Sequence, residues 1–300
     1  MKQKLTDILK TGKILIGDGA WGTFIYEKGL KAGECPEKWN LDRPDDIIDI
    51  AQKYVDAGSD MVETNSFGGS RFKLTSYQLE NLTYEINKAA ARLSAEANGE
   101  HWVLGSVGPT GKMLIMGDVT EEDLYEAFKE QAMALYEGGA DAICVETMTA
   151  IDEAALAIRA AKENTDAEVV CTFTFDKTVQ GDYKTMMGIS PEEAVQAALD
   201  AGADIIGSNC GNGIERMVEI VREIRKPFPS VPILVQANAG MPVNVDGVDV
   251  FPETPEQMSG FINTLIASGA NIIGGCCGTK PEHIKAIKKV VDQYNTTQNL

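Results

Sequence analysis

Three cysteines lie where short apolar runs of the sequence end in glycine. Cys276 and Cys277 are adjacent within residues 274–279 (GGCCGT), and Cys210 ends a similar run 66 positions earlier. If both runs are β-strands, the three thiols can meet at one metal ion. Three thiolates around Zn²⁺ leave one open position, where the sulfur of a substrate thiol can be bound and activated. The sequence therefore predicts thiol chemistry, and methyl transfer to a thiol is the favoured reaction.

The adjacent pair does not have the C-x-x-C spacing that is usual in structural zinc sites. Adjacent residues of a strand point to opposite faces, so Cys276 and Cys277 share a metal only if the backbone turns. Gly274, Gly275 and Gly278 make such a turn easy. The alternative interpretation is a set of buried or redox-active thiols without a metal, and the residues alone leave both interpretations open.

The other three cysteines have different surroundings. Cys144 and Cys171 lie inside apolar runs, as is typical of cysteines that act as small buried hydrophobic side chains. Cys35 lies in a loop-like segment and has no evident role. Six cysteines in 300 residues do not indicate a disulfide-stabilised protein. We expect these three residues to be dispensable for metal binding.

The composition excludes several classes of protein. A formal net charge of −18 argues against binding to nucleic acid or to an anionic membrane through bulk electrostatics. No apolar run reaches the roughly 20 residues of a membrane span, and the first residues lack the apolar core of a signal peptide. We expect a cytoplasmic protein. His101 and His283, its two histidines, are expected to be structural or exposed rather than catalytic.

Eight short β-rich runs alternate with longer segments of helical periodicity. The runs are residues 13–18, 60–65, 103–108, 142–147, 169–174, 205–210, 233–238 and 272–277. Continuous apolar strands separated by helices are typical of a parallel sheet covered on both faces. Proline and capping-box patterns predict the helix starts, and a repeated glycine predicts the helix ends before strands two, four, six and eight.

This alternation of eight strands and helices predicts an α/β fold, a (β/α)8 TIM barrel that forms a single domain over residues 1–300. An open doubly wound sheet is the alternative. In a TIM barrel the active site lies at the carboxyl ends of the strands. Glu146 ends an otherwise apolar strand there, either as a partnered structural group or, as we favour, as a ligand of a substrate ammonium. Asp18 has the same two interpretations, and Asn238 with the amides after it suits a substrate carboxylate.

Taken together, the strand ends resemble the homocysteine S-methyltransferase family, above all the homocysteine-binding module of cobalamin-dependent methionine synthase. The resemblance extends from about Ile14 to Ile287. It rests on residues 17–23 (GDGAWGT), 64–68 (TNSFG), 105–111 (GSVGPTG), 146–147 (ET), 209–210 (NC), 238–240 (NAG) and 274–279 (GGCCGT).

This resemblance implies a TIM barrel that binds one zinc ion and uses homocysteine, or another small thiol, as its substrate. The implied zinc ligands are Cys210, Cys276 and Cys277. The amino acid end of the substrate is then expected near three other residues, Asp18, Glu146 and Asn238.

Methionine synthase continues into folate, cobalamin and activation modules, whereas this sequence stops at Leu300. We therefore expect the methyl donor to come from elsewhere, as a methylated corrinoid on a separate protein or as a small sulfonium or ammonium compound. We expect residues 176–187 to shape the donor side of the site. A fragment of a longer protein is another interpretation, although Met1 and the polar tail argue against it.

Two alternative functions remain open at this point. One is a methyltransferase of an anaerobic demethylation pathway, which passes a methyl group between a small methylated compound and a corrinoid protein. The other is a non-catalytic protein that binds zinc or thiols.

Overall fold

Eight parallel strands form the centre of the computed structural model, which describes residues 2–245 and 248–298. They are β1 (Leu15–Ile16), β2 (Met61–Glu63), β3 (Trp102–Val107), β4 (Ala142–Met148), β5 (Glu168–Phe173), β6 (Ile205–Gly213), β7 (Ile233–Asn238) and β8 (Ile272–Gly275). Each strand overlaps one of the eight runs predicted from the sequence. In the sheet they follow the order β1, β8, β7, β6, β5, β4, β3, β2.

The first and last strands of this order come together through Asp60, which precedes β2. Its backbone N–H donates to Ile16 O at 2.8 Å, and its Oδ2 accepts from Ile16 N at 2.8 Å. The sheet therefore curves into a nearly closed ring with the helices around it. The fold is the predicted (β/α)8 TIM barrel and not an open doubly wound sheet.

Helices follow the strands and cover the outside of the ring. The α-helices are α1 (Leu5–Leu9), α2 (Trp21–Glu27), α3 (Trp39–Asp42), α4 (Pro44–Ala57), α5 (Arg71–Thr75), α6 (Thr83–Ala95), α7 (Glu121–Gly138), α8 (Ile151–Asn164), α9 (Pro191–Asp200), α10 (Ile214–Arg225), α11 (Pro255–Ser259), α12 (Ile262–Ser268) and α13 (Pro281–Gln298). Short 3₁₀ turns occur at Pro36–Lys38, Glu80–Leu82 and Leu114–Met116. Across residues 2–245 and 248–298, no helix combines the length and apolarity needed to cross a membrane.

Two small hairpins rise from the carboxyl end of the barrel. One pairs Asp176–Lys177 with Tyr183–Lys184 after β5, and the other pairs Val243–Val245 with Val248–Val250 after β7. The capping box predicted at α7 is formed, and α9 and α11, whose starts were predicted from proline at the first helical position, also begin with capping boxes. The repeated glycines before β2, β4, β6 and β8 adopt positive φ, as a left-handed helix end requires.

The amino end of the barrel is closed by α1. Leu5 and Leu9 are buried against the inward-facing apolar residues of the strands. Glu168, at the start of β5, fixes the helix because its carboxylate accepts hydrogen bonds from Leu5 N at 2.5 Å and Thr6 N at 3.1 Å. These are two of the backbone donors that the first turn of a helix leaves without a partner.

We expect Glu168→Ala to destabilise the barrel by about 1.5–3 kcal/mol, because it removes charged hydrogen-bond acceptors from buried donors. Chemical denaturation measures this change in the free energy of unfolding. Asp7→Asn, an exposed change in the same helix, serves as the control and should leave stability within about 0.5 kcal/mol of the parent protein. An equal effect of the two substitutions would show that Glu168 does not hold α1.

Candidate metal and substrate site

The ends of β6 and β8 bring the three cysteines together. The pairing of β6 with β7 shifts register after Asn209, and Cys210 takes a left-handed conformation with φ of 59°. The strand β8 ends at Gly275, so the predicted strand was two residues too long and both Cys276 and Cys277 follow it. The backbone turns there, as the glycines predicted, and Gly278 has a φ of 78°.

The spacing of the sulfurs fits a metal centre. The Sγ atoms of Cys210, Cys276 and Cys277 all lie within 4.8 Å of one another, and those of Cys210 and Cys277 are 3.9 Å apart. A tetrahedral zinc site with Zn–S bonds of about 2.3 Å places its sulfurs about 3.8 Å apart. Small movements of the side chains would therefore let all three sulfurs bind one ion.

Hydrogen bonds among the three thiols shift their pKa values in opposite directions. The Cys276 and Cys277 thiols donate to Cys210, which lowers the pKa of Cys210 to about 3. The hydrogen bond with Cys210 raises the pKa of Cys277 to about 12, and hydrogen bonds with Cys210 and Cys277 raise the pKa of Cys276 well above its ordinary value. Binding of one cation by all three sulfurs would release protons from the cluster.

A cavity of about 330 Å³ lies beside the cysteines at the carboxyl end of the barrel. The three cysteines line one part of it, and Glu63 and Glu146 line another part. The cavity is therefore lined by a group of sulfurs and a group of carboxyls. A small amino acid that carries a thiol has the functional groups to contact both.

Asp18 lies beneath the carboxyl side of this cavity. It is 1% exposed, and its Oδ2 accepts from Trp21 Nε1 and from Glu63 N, both at 2.7 Å. Its Oδ1 is buried and has no hydrogen-bond partner among the described residues. Burial raises the pKa of Asp18 to about 7 in spite of these hydrogen bonds.

Glu146 ends the apolar part of β4, as predicted, and is 6% exposed. Its carboxylate accepts from Ser106 Oγ and from Asn209 Nδ2, the latter at 3.1 Å. Burial raises the pKa of Glu146 to about 7. Glu63, which accepts from Gln236 Nε2 at 2.8 Å, has a raised pKa for the same reason, and the neighbouring Glu146 and Asp18 add to it. Asp18, Glu63 and Glu146 therefore form a group of three buried carboxyls whose negative charges repel one another.

Comparison with known proteins gives the chain its family. The sequence model described as homocysteine S-methyltransferase matches residues 15–291. The chain belongs to the homocysteine S-methyltransferase family. It is 30% identical over 308 residues to the methionine synthase of Mycobacterium leprae and 32% identical over 305 residues to that of Mycobacterium tuberculosis. These matches cover 97% and 96% of this chain but 25% of each relative, so the chain spans about a quarter of their length.

Solved structures of a homocysteine methyltransferase share the fold. The metallated form of MmuM from Escherichia coli superposes with a TM-score of 0.79 at 21% identity, covering 95% of this chain and 99% of that one. Its apo form gives a TM-score of 0.73 at 21% identity, covering 94% and 97%. At this level of identity the likeness supports the barrel architecture.

Only some of the six site residues predicted from the sequence lie together around the cavity. The cysteines and Glu146 line one cavity, and Asp18 lies below it. Asn238 is not part of the lining: its amide lies against Cys210, and its Oδ1 is buried without a partner among the described residues. The Ala239 amide, which we expected to be available for a substrate carboxylate, donates to Cys277 O at 2.9 Å.

The sequence analysis missed Glu63, although the signal was present. The pair Glu63-Thr64 ends β2 in the same way that Glu146-Thr147 ends β4, and both glutamates interrupt apolar runs. The two histidines have structural partners. His101 contacts the Gly99 and Ser94 carbonyls, and His283 contacts Glu253 O and Lys280 N.

Proposed function

We propose that the protein is a zinc-dependent S-methyltransferase that transfers a methyl group to the thiol of homocysteine and so forms methionine. The observation that carries this proposal is the cavity in which three clustered cysteine sulfurs and two buried glutamates line the same space. When bound, zinc would lower the pKa of the substrate thiol and keep the sulfur nucleophilic at neutral pH. The ligands for it would be Cys210, Cys276 and Cys277.

The carboxyl side of the cavity would bind the substrate ammonium. Burial of Asp18, Glu63 and Glu146 in one group is unfavourable when more than one of them is ionised, because like charges repel and water is excluded. An ammonium group placed among them would offset that repulsion and form charged hydrogen bonds. This complementarity favours an amino acid thiol over a simple thiol. The role of Asn238 at the substrate carboxylate stays a prediction.

Asn209 sets the spacing between the two sides of the cavity. Its Nδ2 donates to Glu146, and its Oδ1 accepts from Thr147 N at 2.8 Å. Because Asn209 directly precedes Cys210, these bonds tie the carboxylate of β4 to the first sulfur of β6. The ammonium and thiol ends of a bound substrate would thus be held at a fixed separation, which limits the orientations of the sulfur.

For the donor, we propose a methylated corrinoid that is carried by a separate protein. A corrinoid ring is far too large to enter a cavity of about 330 Å³ together with homocysteine. The donor must therefore approach the sulfur from the open mouth of the barrel. A carrier protein can present the methyl group there without the cavity having to enclose the cofactor.

We expect the purified protein to form no methionine from homocysteine and free methyltetrahydrofolate. Addition of methylcobalamin or of a methylated corrinoid protein should start the reaction, because each supplies a methyl group that can reach the sulfur in line. Methionine is measured by chromatography before and after the addition. Rapid formation of methionine before the addition would refute the proposal that a separate carrier supplies the methyl group. Activity with only a sulfonium or betaine compound would show that the donor is a small molecule.

A further inference from the structure

Large apolar side chains are exposed mainly at one end of this barrel. Among the described residues, eleven of the fourteen exposed large apolar side chains lie in the segments that follow β2, β3, β5 and β7, before α6, α7, α9 and α11 respectively. The other three lie in helices: Tyr26 in α2, Leu41 in α3, and Tyr136 near the end of α7. Scattered apolar residues would be shared between both ends, so this asymmetry indicates a functional surface around the mouth.

The most exposed of these side chains occur in two loops, which we call the methionine rim. Its members are Met113, Ile115 and Met116 after β3, and Val179, Met186 and Met187 after β5. Ile115 is 82% exposed, Met186 is 80% exposed and Val179 is fully exposed. The connection between β4 and α8 is only two residues long, so nothing in it separates the two loops.

The bases of both loops are fixed while their apolar tips are not covered. Tyr183 is buried and donates to Glu219 of α10 at 2.9 Å, and Lys177 pairs with the same carboxylate at 2.6 Å. In the other loop, Thr110 N donates to the buried Glu153 of α8 at 2.8 Å. The rim is therefore held in place by the helices below it and does not need its own apolar side chains for packing.

The rim also differs from the rest of the protein in charge. Residues 108–120 contain one lysine and one aspartate, and residues 174–190 contain two of each before the first glutamate of α9, so neither loop has a net charge. The whole chain has a net charge of −18. Enrichment in methionine is a feature of protein–protein interfaces, and methionine adapts its shape to a partner surface.

We propose that the methionine rim is the docking face for the protein that carries the methyl donor, and that this carrier binds through an apolar patch of low net charge. The inference rests on the proposed function. None of the six rim residues lines the cavity, so a small donor that enters the cavity has no use for them. A second copy docked mouth to mouth would block the approach of the donor, and an anionic membrane would repel a chain of charge −18.

The test uses two double variants, Ile115→Asp with Met116→Asp, and Val179→Asp with Met186→Asp. Tyr136→Asp introduces the same charge at an exposed apolar residue away from the rim and is the matched control. The probe is the isolated cobalamin module of a methionine synthase, loaded with methylcobalamin. Calorimetry measures its affinity for the barrel, and methionine formation measures transfer both from the module and from free methylcobalamin.

Each rim variant should bind the module at least about tenfold more weakly than the parent protein, as expected when apolar residues at an interface are replaced by charges. Transfer from the module should fall by a similar factor at low module concentration. Transfer from free methylcobalamin, homocysteine affinity and zinc content should not change. The Tyr136→Asp control should match the parent protein in every measurement.

Unchanged affinity for the module in both rim variants would overturn the docking proposal, even if methyl transfer itself is confirmed. Loss of transfer from free methylcobalamin in the variants would also overturn it, because the rim would then serve the chemistry itself. If the parent protein is a dimer and the rim variants are monomers, the methionine rim is an interface between two copies of this chain, and the docking proposal is wrong. Rim-dependent binding of the module without any methionine formation would support the docking face and refute the proposed function.

Discussion

Replacement of Cys276 by alanine is expected to remove zinc from the protein and to abolish methyl transfer to homocysteine. The variant keeps two of the three sulfurs that lie within 4.8 Å of one another, and two thiolates bind zinc much more weakly than three. The barrel should stay folded, because a core of this size does not depend on a metal. Elemental analysis measures zinc, which should fall from about one ion per chain to nearly none, and circular dichroism measures the fold.

Cys171→Ala is the matched control for this experiment. Cys171 is fully buried in β5, outside the sulfur cluster, and burial raises its pKa so that it stays a thiol. This variant should keep its zinc and its activity and lose only a little stability from the small cavity it creates. Full zinc occupancy in the Cys276→Ala protein, or loss of zinc in a folded Cys171→Ala protein, would show that the wrong cysteines were assigned.

Replacement of Glu146 by glutamine is expected to weaken homocysteine binding by about tenfold to a hundredfold while zinc content stays the same. A charged hydrogen bond to the substrate ammonium contributes about 1.5–3 kcal/mol, which corresponds to that range of dissociation constants. Glutamine has nearly the same shape and keeps the contacts with Ser106 and Asn209 possible. Titration calorimetry with the zinc-loaded protein measures the affinity directly.

Glu153→Gln provides the comparison, because Glu153 is another buried glutamate on the same side of the barrel. It is 6% exposed and accepts hydrogen bonds from Thr110, and it does not line the cavity. The homocysteine affinity of the Glu153→Gln protein should stay close to that of the parent protein. Equal affinities of the Glu146→Gln and parent proteins would make Glu146 a structural group that only organises Ser106 and Asn209.

The architecture was predictable because each β–α unit carries its own local signals. Apolar strand runs, capping boxes such as that of Ser190, and glycines such as Gly58 at helix ends all act within a few residues of one another. The convergence of the cysteines was predictable for a related reason: parallel strands of one barrel end at one edge. The cytoplasmic location and the single-domain organisation stay predictions.

The orientations within the site were harder to predict. The position of Asn238 depends on the register shift of β6 after Asn209, which brings Gly213 opposite Asn238 in the ladder. A shift of this kind arises from contacts between strands and leaves no periodic signal in the sequence. Glu63 was missed because its importance comes from two neighbours, Asp18 and Glu146, that are distant in the sequence and meet it only in the closed barrel.

The two halves of the barrel supply different parts of the site. The buried carboxyls of Asp18, Glu63 and Glu146 lie in or directly after β1, β2 and β4, whereas the sulfurs lie in β6 or directly after β8. Selection for a new acceptor can therefore act on the amino-terminal half of the chain without touching the three cysteines. In such a barrel, acceptor preference and sulfur activation can evolve as separate traits, and exchange of half-barrels between relatives would recombine them.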